Sequence, residues 1–304
     1  MSVQYVHEAG AGIDLGDHVF PTAKYRELAA RIKSELGVGS QRFHGWEEVL
    51  DEDLERVHTP HYIEDLRLAR SSWATRASEL PVNAKVIDGF RSMTGGSIRT
   101  VRLALEHGVG FHVGGGFHHA FPDHAEGFCY LHDMGIAVER MRAEEGIDRV
   151  LFVDVDVHQG NGTVAVYAED PDTFTYSIHQ QNNYPPKQRG DLDRGLQDGL
   201  ENDDYLAILE GDLDEIDGRF DPDLVCYVGG VEPHHEDALG GLALTDEGIQ
   251  ARDRLVLARY IGRAVPVAVF LAGGYAPSPE RTATLHLCAA RACEEAVQSA
   301  VGPS

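Results

Sequence analysis

Val150-Leu151-Phe152-Val153-Asp154-Val155-Asp156-Val157-His158-Gln159-Gly160 is the stretch on which the reading of this chain turns. Its opening residues form a continuous apolar run ending on a carboxylate, as a parallel strand buried on both faces would. Short β-rich runs at 173–177, 224–228 and 266–271 have the same character. Apolar residues at helical spacing predict helices over 24–36, 96–106 and 134–145. Buried runs alternating with helices imply an α/β fold, a mostly parallel sheet covered on both faces. No internal repeat, low-complexity tract or Pro/Gly/Ser linker divides the 304 residues, so 1–304 reads as a single domain.

Three of the runs pass directly into polar or glycine-rich segments. These are the stretch from Asp154 to Gly160, Gly229-Gly230-Val231-Glu232-Pro233, and Ala272-Gly273-Gly274-Tyr275. Open α/β sheets bind ligands beyond the carboxyl ends of their strands, so these distant segments are expected to converge on one edge. Asp156 and His158, two apart on an extended segment, would point to the same side and could address one ion. A catalytic zinc takes three protein ligands and keeps an open position; Glu232 is the best third candidate. Gly114-Gly115-Gly116 allows close backbone approach and is followed by Phe117 and the adjacent imidazoles of His118 and His119. By itself a His-His pair reads as a surface loop, whereas beside a metal motif it reads as acid–base chemistry. Tyr275, at a strand end, is either packing or a hydroxyl donor to an oxyanion.

Composition narrows the partners. Lys and Arg total 26 against 50 Asp and Glu, a net charge of -24, which repels phosphate backbones and argues against direct nucleic-acid binding. The same surface would attract cationic amines such as lysine side chains and polyamines, although solubility or salt adaptation accounts for it equally well. The cysteines (Cys129, Cys226, Cys288 and Cys293) lack metal-site or framework spacing. No apolar run reaches the roughly 18 residues a membrane span needs. The first residues also lack the basic start and apolar centre of a secretory leader, so the expected location is cytoplasmic.

Taken together and in order, the segments resemble the histone deacetylases: Gly114 to Ala120, Gly127-Phe128-Cys129-Tyr130, Asp154 to Thr163, and Gly273 to Tyr275. His18-Val19-Phe20-Pro21, Val57-His58-Thr59-Pro60 and 239–245 fit the same pattern, so the resemblance covers nearly the whole chain. Gln159 and Asn182-Asn183-Tyr184-Pro185 look most like the class IV branch and its bacterial relatives. The resemblance implies an arginase/deacetylase fold and an enzyme that removes acetyl or longer acyl groups from lysine side chains or related amines. It implies one zinc ion on Asp156, His158 and Glu232, and His118 and His119 as the catalytic pair. Asp154 would partner His118, Asn161 would partner His119, and Tyr275 would be the oxyanion donor. Gly127 and Phe128 would line the acyl tunnel with Tyr184 opposite, and Asp154 with Ser177 would hold a structural potassium ion. Because a carboxylate favours imidazolium and a neutral amide does not, His118 is expected to be the more basic ring, and His119 to act as the base.

The chain departs from the family at the third ligand, where the family has aspartate and this sequence has Glu232. The extra methylene requires a changed rotamer or a shifted backbone. Weak activity, or acyl-lysine binding without catalysis, is therefore an alternative, as is acetylpolyamine deacetylation. His234 and His235 follow closely but read as loop residues. A two-metal ureohydrolase of the same fold would need a second carboxylate two positions after His158, where this chain has Gly160.

Overall fold

The computed structural model describes residues 1–8 and 13–301. Among these described residues eight strands form one sheet: β1 (Ser2–Val6), β2 (Phe43–His44), β3 (Gly108–His112), β4 (Val150–Asp154), β5 (Thr173–Gln180), β6 (Leu192–Leu196), β7 (Leu224–Val228) and β8 (Val267–Phe270). Their order is β2-β1-β3-β8-β7-β4-β5-β6, and every pairing is parallel. Between them run α1 (Ala23–Glu35), α2 (Asp51–Glu55), α3 (Pro60–Arg67), α4 (Trp73–Arg76), α5 (Ala84–His107), α6 (Asp133–Glu145), α7 (Asn161–Tyr167), α8 (Asn202–Arg219), α9 (Asp246–Gly262) and α10 (Pro279–Val301). One helical layer packs α1, α8, α9 and α10 together, and the other centres on α5 and α6.

Strands β4, β5, β7 and β8 are buried along their whole length; β4, β7 and β8 are the unbroken apolar runs this burial favours, whereas β5 alternates Thr, Ser and His with Phe, Tyr and Ile. Of the other four, β2 is only two residues long and the remaining three leave no such run. β1 lies at the start of the chain, β6 is a half-exposed edge of Leu192-Asp193-Arg194-Gly195-Leu196, and β3 is broken up by Gly108 and Gly110. Gly110 has a packing reason, because a side chain there would overlap the Thr100 carbonyl of α5. Helix α5 runs 24 residues, well beyond the predicted 96–106. Gly95 and Gly96 look like a helix break, yet they admit the Glu47 carbonyl and the His112 ring against the helix. Asn83 starts this helix by accepting a hydrogen bond from Val86 N at 3.0 Å.

Candidate active site

Four neighbouring strands, β3, β8, β7 and β4, send their carboxyl-terminal extensions to one place. β4 ends on Asp154 and the chain then turns. Asp156 Oδ1 accepts a hydrogen bond from His158 N at 2.9 Å and lies 3.1 Å from His158 Nδ1. The carboxylate and imidazole therefore meet through an Asx turn, not through the extended segment expected from the sequence. The β7 extension brings Glu232, and the β8 extension brings Gly273, whose N–H donates to Asp156 Oδ2 at 3.2 Å. Buried Arg252 of α9 donates to Gly230 O at 2.7 Å and Val155 O at 3.3 Å, tying together the two ligand-bearing segments.

The donor atoms of Asp156, His158 and Glu232, all three residues buried, lie within 4.8 Å of one another. Glu232 Oε2 is buried with no hydrogen-bond partner among the described residues. Burial first, then the charges of Asp156 and Asp237, hold the Glu232 pKa well above the carboxylate range, with Lys24 opposing them. Burial would also raise Asp156, but the charge of His118 and the hydrogen bond from His158 outweigh it and hold its pKa low. An orphaned buried carboxylate oxygen in an O, N, O donor set is what a single zinc-like cation would satisfy. The extra methylene of Glu232 is accommodated by glycines, because side chains at Gly230 and Gly273 would occupy the space of its carboxylate. His234 and His235 are engaged elsewhere: His234 Nε2 lies 3.0 Å from Asp246 Oδ1, and His235 Nδ1 lies 3.1 Å from Leu244 O.

The β3 extension supplies the histidine pair. Asp133, at the start of α6, accepts hydrogen bonds from Gly116 N at 3.0 Å and Phe117 N at 2.8 Å, holding the glycine turn in place. His118 Nδ1 sits 2.6 Å from Asp154 Oδ2, and His119 Nδ1 sits 2.7 Å from Asn161 Oδ1. Burial disfavours a charged His118, yet the carboxylates of Asp154 and Asp156 overcome it and raise its pKa to about 9. For His119, burial and then the charges of His118 and His158 drive the pKa well below the ordinary imidazole value. His118 is thus the more basic ring, but His119 is lowered by burial and neighbouring charge and not by Asn161, whose hydrogen bond acts to raise it.

These groups line a cavity of about 260 Å³ together with Phe20, Gly127, Phe128, Tyr184, Leu239 and Tyr275. The Tyr275 ring lies 6.2 Å from both Phe20 and Phe128, while Tyr184 is 37 % exposed and its ring is 5.4 Å from His119. Ser177 lies beside Asp154 in the β4–β5 register, its Oγ 2.9 Å from His179 Nδ1. Sequence reasoning passed over Phe20, Asp133, Glu126 and Lys24 as site residues. Lys24 is buried in α1 and donates to Ala272 O at 2.9 Å; burial lowers its pKa to about 8 against the pull of Glu232, Asp156 and Asp237. A lysine at the start of a predicted helix gives no sign that it points inward.

The family model for the histone deacetylase domain matches residues 18–291. The chain belongs to the histone deacetylase family. An uncharacterized protein of Picosynechococcus sp. is 40% identical over 262 residues, covering 86% of this chain and 87% of that protein. Histone deacetylase 2 of Arabidopsis thaliana is 30% identical over 240 residues, covering 75% and 62%. A histone deacetylase-like amidohydrolase of Pseudomonas aeruginosa is 29% identical over 255 residues, covering 77% and 67%. Among solved structures, a histone deacetylase homologue from Aquifex aeolicus superposes with a TM-score of 0.78 at 22% identity, covering 98% of this chain and 89% of that one. That likeness shows the shared fold. Members of the deacetylase family hydrolyse amides and are in general zinc-dependent. Among the described residues of this deacetylase-family chain, no helix is long and apolar enough to cross a membrane.

Proposed function

We propose that the chain is a zinc-dependent hydrolase that removes acetyl or longer acyl groups from lysine side chains or related cationic amines. The observation that carries this is the buried Asp156, His158 and Glu232 set, with an orphaned carboxylate oxygen, in the same cavity as two differently partnered imidazoles. Zinc held by those three residues would supply Lewis acidity, polarising the amide carbonyl and making water a nucleophile near neutral pH. His119, neutral and with its Nδ1 tied to Asn161, takes the proton and returns one to the leaving amine. His118, cationic beside Asp154, offers fixed positive charge to the developing oxyanion, and the Tyr275 hydroxyl donates to that oxygen. Phe128 and Tyr184, with Gly127 against the His119 ring, clasp the aliphatic arm.

The remaining readings extend from the same residues. Residues 1–304 act as one catalytic domain of the class IV-like branch, in the cytoplasm. Gln159 supports that branch by bridging to Gln188 O and Asp193, where many relatives have a second histidine. Asp154 and Ser177 hold a structural potassium ion. The position of Glu232 within ligand reach favours a hydrolase over a binder without turnover. Both acyl-lysine and acylpolyamine substrates suit the acidic surface.

The test is zinc content together with turnover of acetyl-lysine peptides, longer acyl-lysine peptides and acetylpolyamines. About one zinc per chain is expected, with activity abolished by chelation and restored by zinc. Tyr275→Phe should keep its zinc and lose about 10²–10³ in turnover, the usual cost of an oxyanion donor. Tight acyl-peptide binding by a zinc-loaded protein that turns over none of the panel would replace the hydrolase with a binder.

A further inference from the structure

A neutral imidazole carries its proton on one nitrogen, and only the bare nitrogen can accept another. His119 can serve as a base on its Nε2 only if the proton resides on Nδ1. In a site with aspartate as the partner, a carboxylate enforces this, because it can only accept. Here the partner is Asn161, whose amide presents an acceptor on one side and a donor on the other. An amide turned the wrong way would demand the opposite His119 tautomer and disarm the ring.

Two neighbours of Asn161 remove that ambiguity. Asn161 Nδ2 donates to Glu126 Oε1 at 2.7 Å, and a carboxylate oxygen can face only a donor. Gly162 N donates to Asn161 Oδ1 at 3.1 Å, which identifies the other side as oxygen. Oδ1 therefore faces His119, and the hydrogen on their 2.7 Å contact belongs to Nδ1. Glu126 Oε1 also accepts from the Tyr184 hydroxyl at 3.0 Å, and Oε2 lies 3.4 Å from His124 Nε2. Burial pushes the Glu126 pKa up, but the hydrogen bonds from His124, Asn161 and Tyr184 outweigh it, so the group stays ionised.

We propose that Glu126 is a positioning residue that, through the orientation of the Asn161 amide, sets the tautomer of His119. The proposal rests on the hydrolase reading for its consequence in catalysis, but not for the tautomer itself. Glu126 reaches His119 through two hydrogen bonds and belongs neither to the cavity lining nor to the Asp156, His158 and Glu232 donor set. It also explains how an uncharged amide at 161 can do the orienting work of a carboxylate without making His119 more basic: the carboxylate sits one residue further out.

Nitrogen-15 spectroscopy of the histidine-labelled, zinc-loaded protein reads the tautomer directly and needs no turnover. The wild type should show His119 protonated on Nδ1 alone, and Glu126→Ala should show a mixture of both forms. In kinetics, Glu126→Ala should lower kcat about 10- to 100-fold, a part of the roughly 10²–10⁴ that general acid–base catalysis contributes, because a mixture of tautomers keeps some competent His119. Glu126→Gln, which retains an acceptor oxygen, should recover most of it. The decisive comparison uses an Asn161→Asp background, where the new carboxylate enforces the Nδ1 proton unaided. There Glu126→Ala should cost nothing, or help by separating two like charges. A wild-type His119 protonated on Nε2, or an equal penalty for Glu126→Ala in both backgrounds, overturns the proposal. A protein with no turnover but the expected tautomer change would leave the positioning role standing and remove the hydrolase reading instead.

Discussion

Gly273→Ala is the sharpest probe of how this chain holds a glutamate where its family holds an aspartate. A methyl carbon placed on Gly273 would lie 1.4 Å from Glu232 Oε1, and such contacts do not form below about 3.0 Å. The carboxylate would have to retreat by about 1.6 Å to clear it. Metal sites tolerate about 0.2 Å in ligand distance, so Glu232 would leave the donor set altogether. Disturbing only an outer partner of a ligand costs about 10- to 100-fold in metal affinity, so losing the ligand should exceed the upper figure. A zinc titration against a competing chelator measures this, with circular dichroism confirming that the sheet is intact. Adding Glu232→Asp to Gly273→Ala should recover part of the affinity, because the shorter side chain withdraws the oxygen from the methyl group. If Gly273→Ala binds zinc within about threefold of wild type, the placement of Glu232 argued above is wrong.

Three further outcomes follow from the same geometry. Asn161→Asp should raise the pKa of His119, since a carboxylate favours imidazolium, and so move the acidic limb of the kcat/KM profile to higher pH; an unchanged profile would remove His119 as the titrating base. Asp154→Asn should destabilise the metal-free protein in urea. His118, with its pKa raised to about 9, contributes stability that is fully present below its ordinary value of 6.5 and lost as pH rises through 9, so the gap between wild type and variant should narrow across that window. A gap independent of pH would mean that the pair is not charged. Arg252→Met should cost about 3–5 kcal/mol in unfolding free energy, because it strands buried Asp253, and should also weaken zinc by freeing the carbonyls of Val155 and Gly230.

The parallel sheet and the convergence of three strand ends were legible because burial on both faces writes itself as unbroken apolar runs. β3 was not legible, since the glycines that let α5 approach it also erase the run. Its absence from the reading hid the reason that His118 and His119 join the other segments. Residue pairing was legible where a motif spells it out, as for Asp156 and His158, although the local turn differs from the extended segment expected. Glu126 and Lys24 were not legible for a different reason. Their roles depend on partners at positions 161, 184 and 272, and nothing in the neighbouring sequence distinguishes either from a solvated charge.

The place of β8 in the sheet has a consequence for how the protein is made. This strand is the last of the eight in sequence, yet it lies between β3 and β7. Until residue 270 has been synthesised, the half carrying the histidine pair has no hydrogen-bonded ladder joining it to the half carrying Asp156, His158 and Glu232. A nascent chain therefore holds two unjoined fragments of a pocket, and insertion of one central strand both closes the sheet and creates the place where an ion can settle.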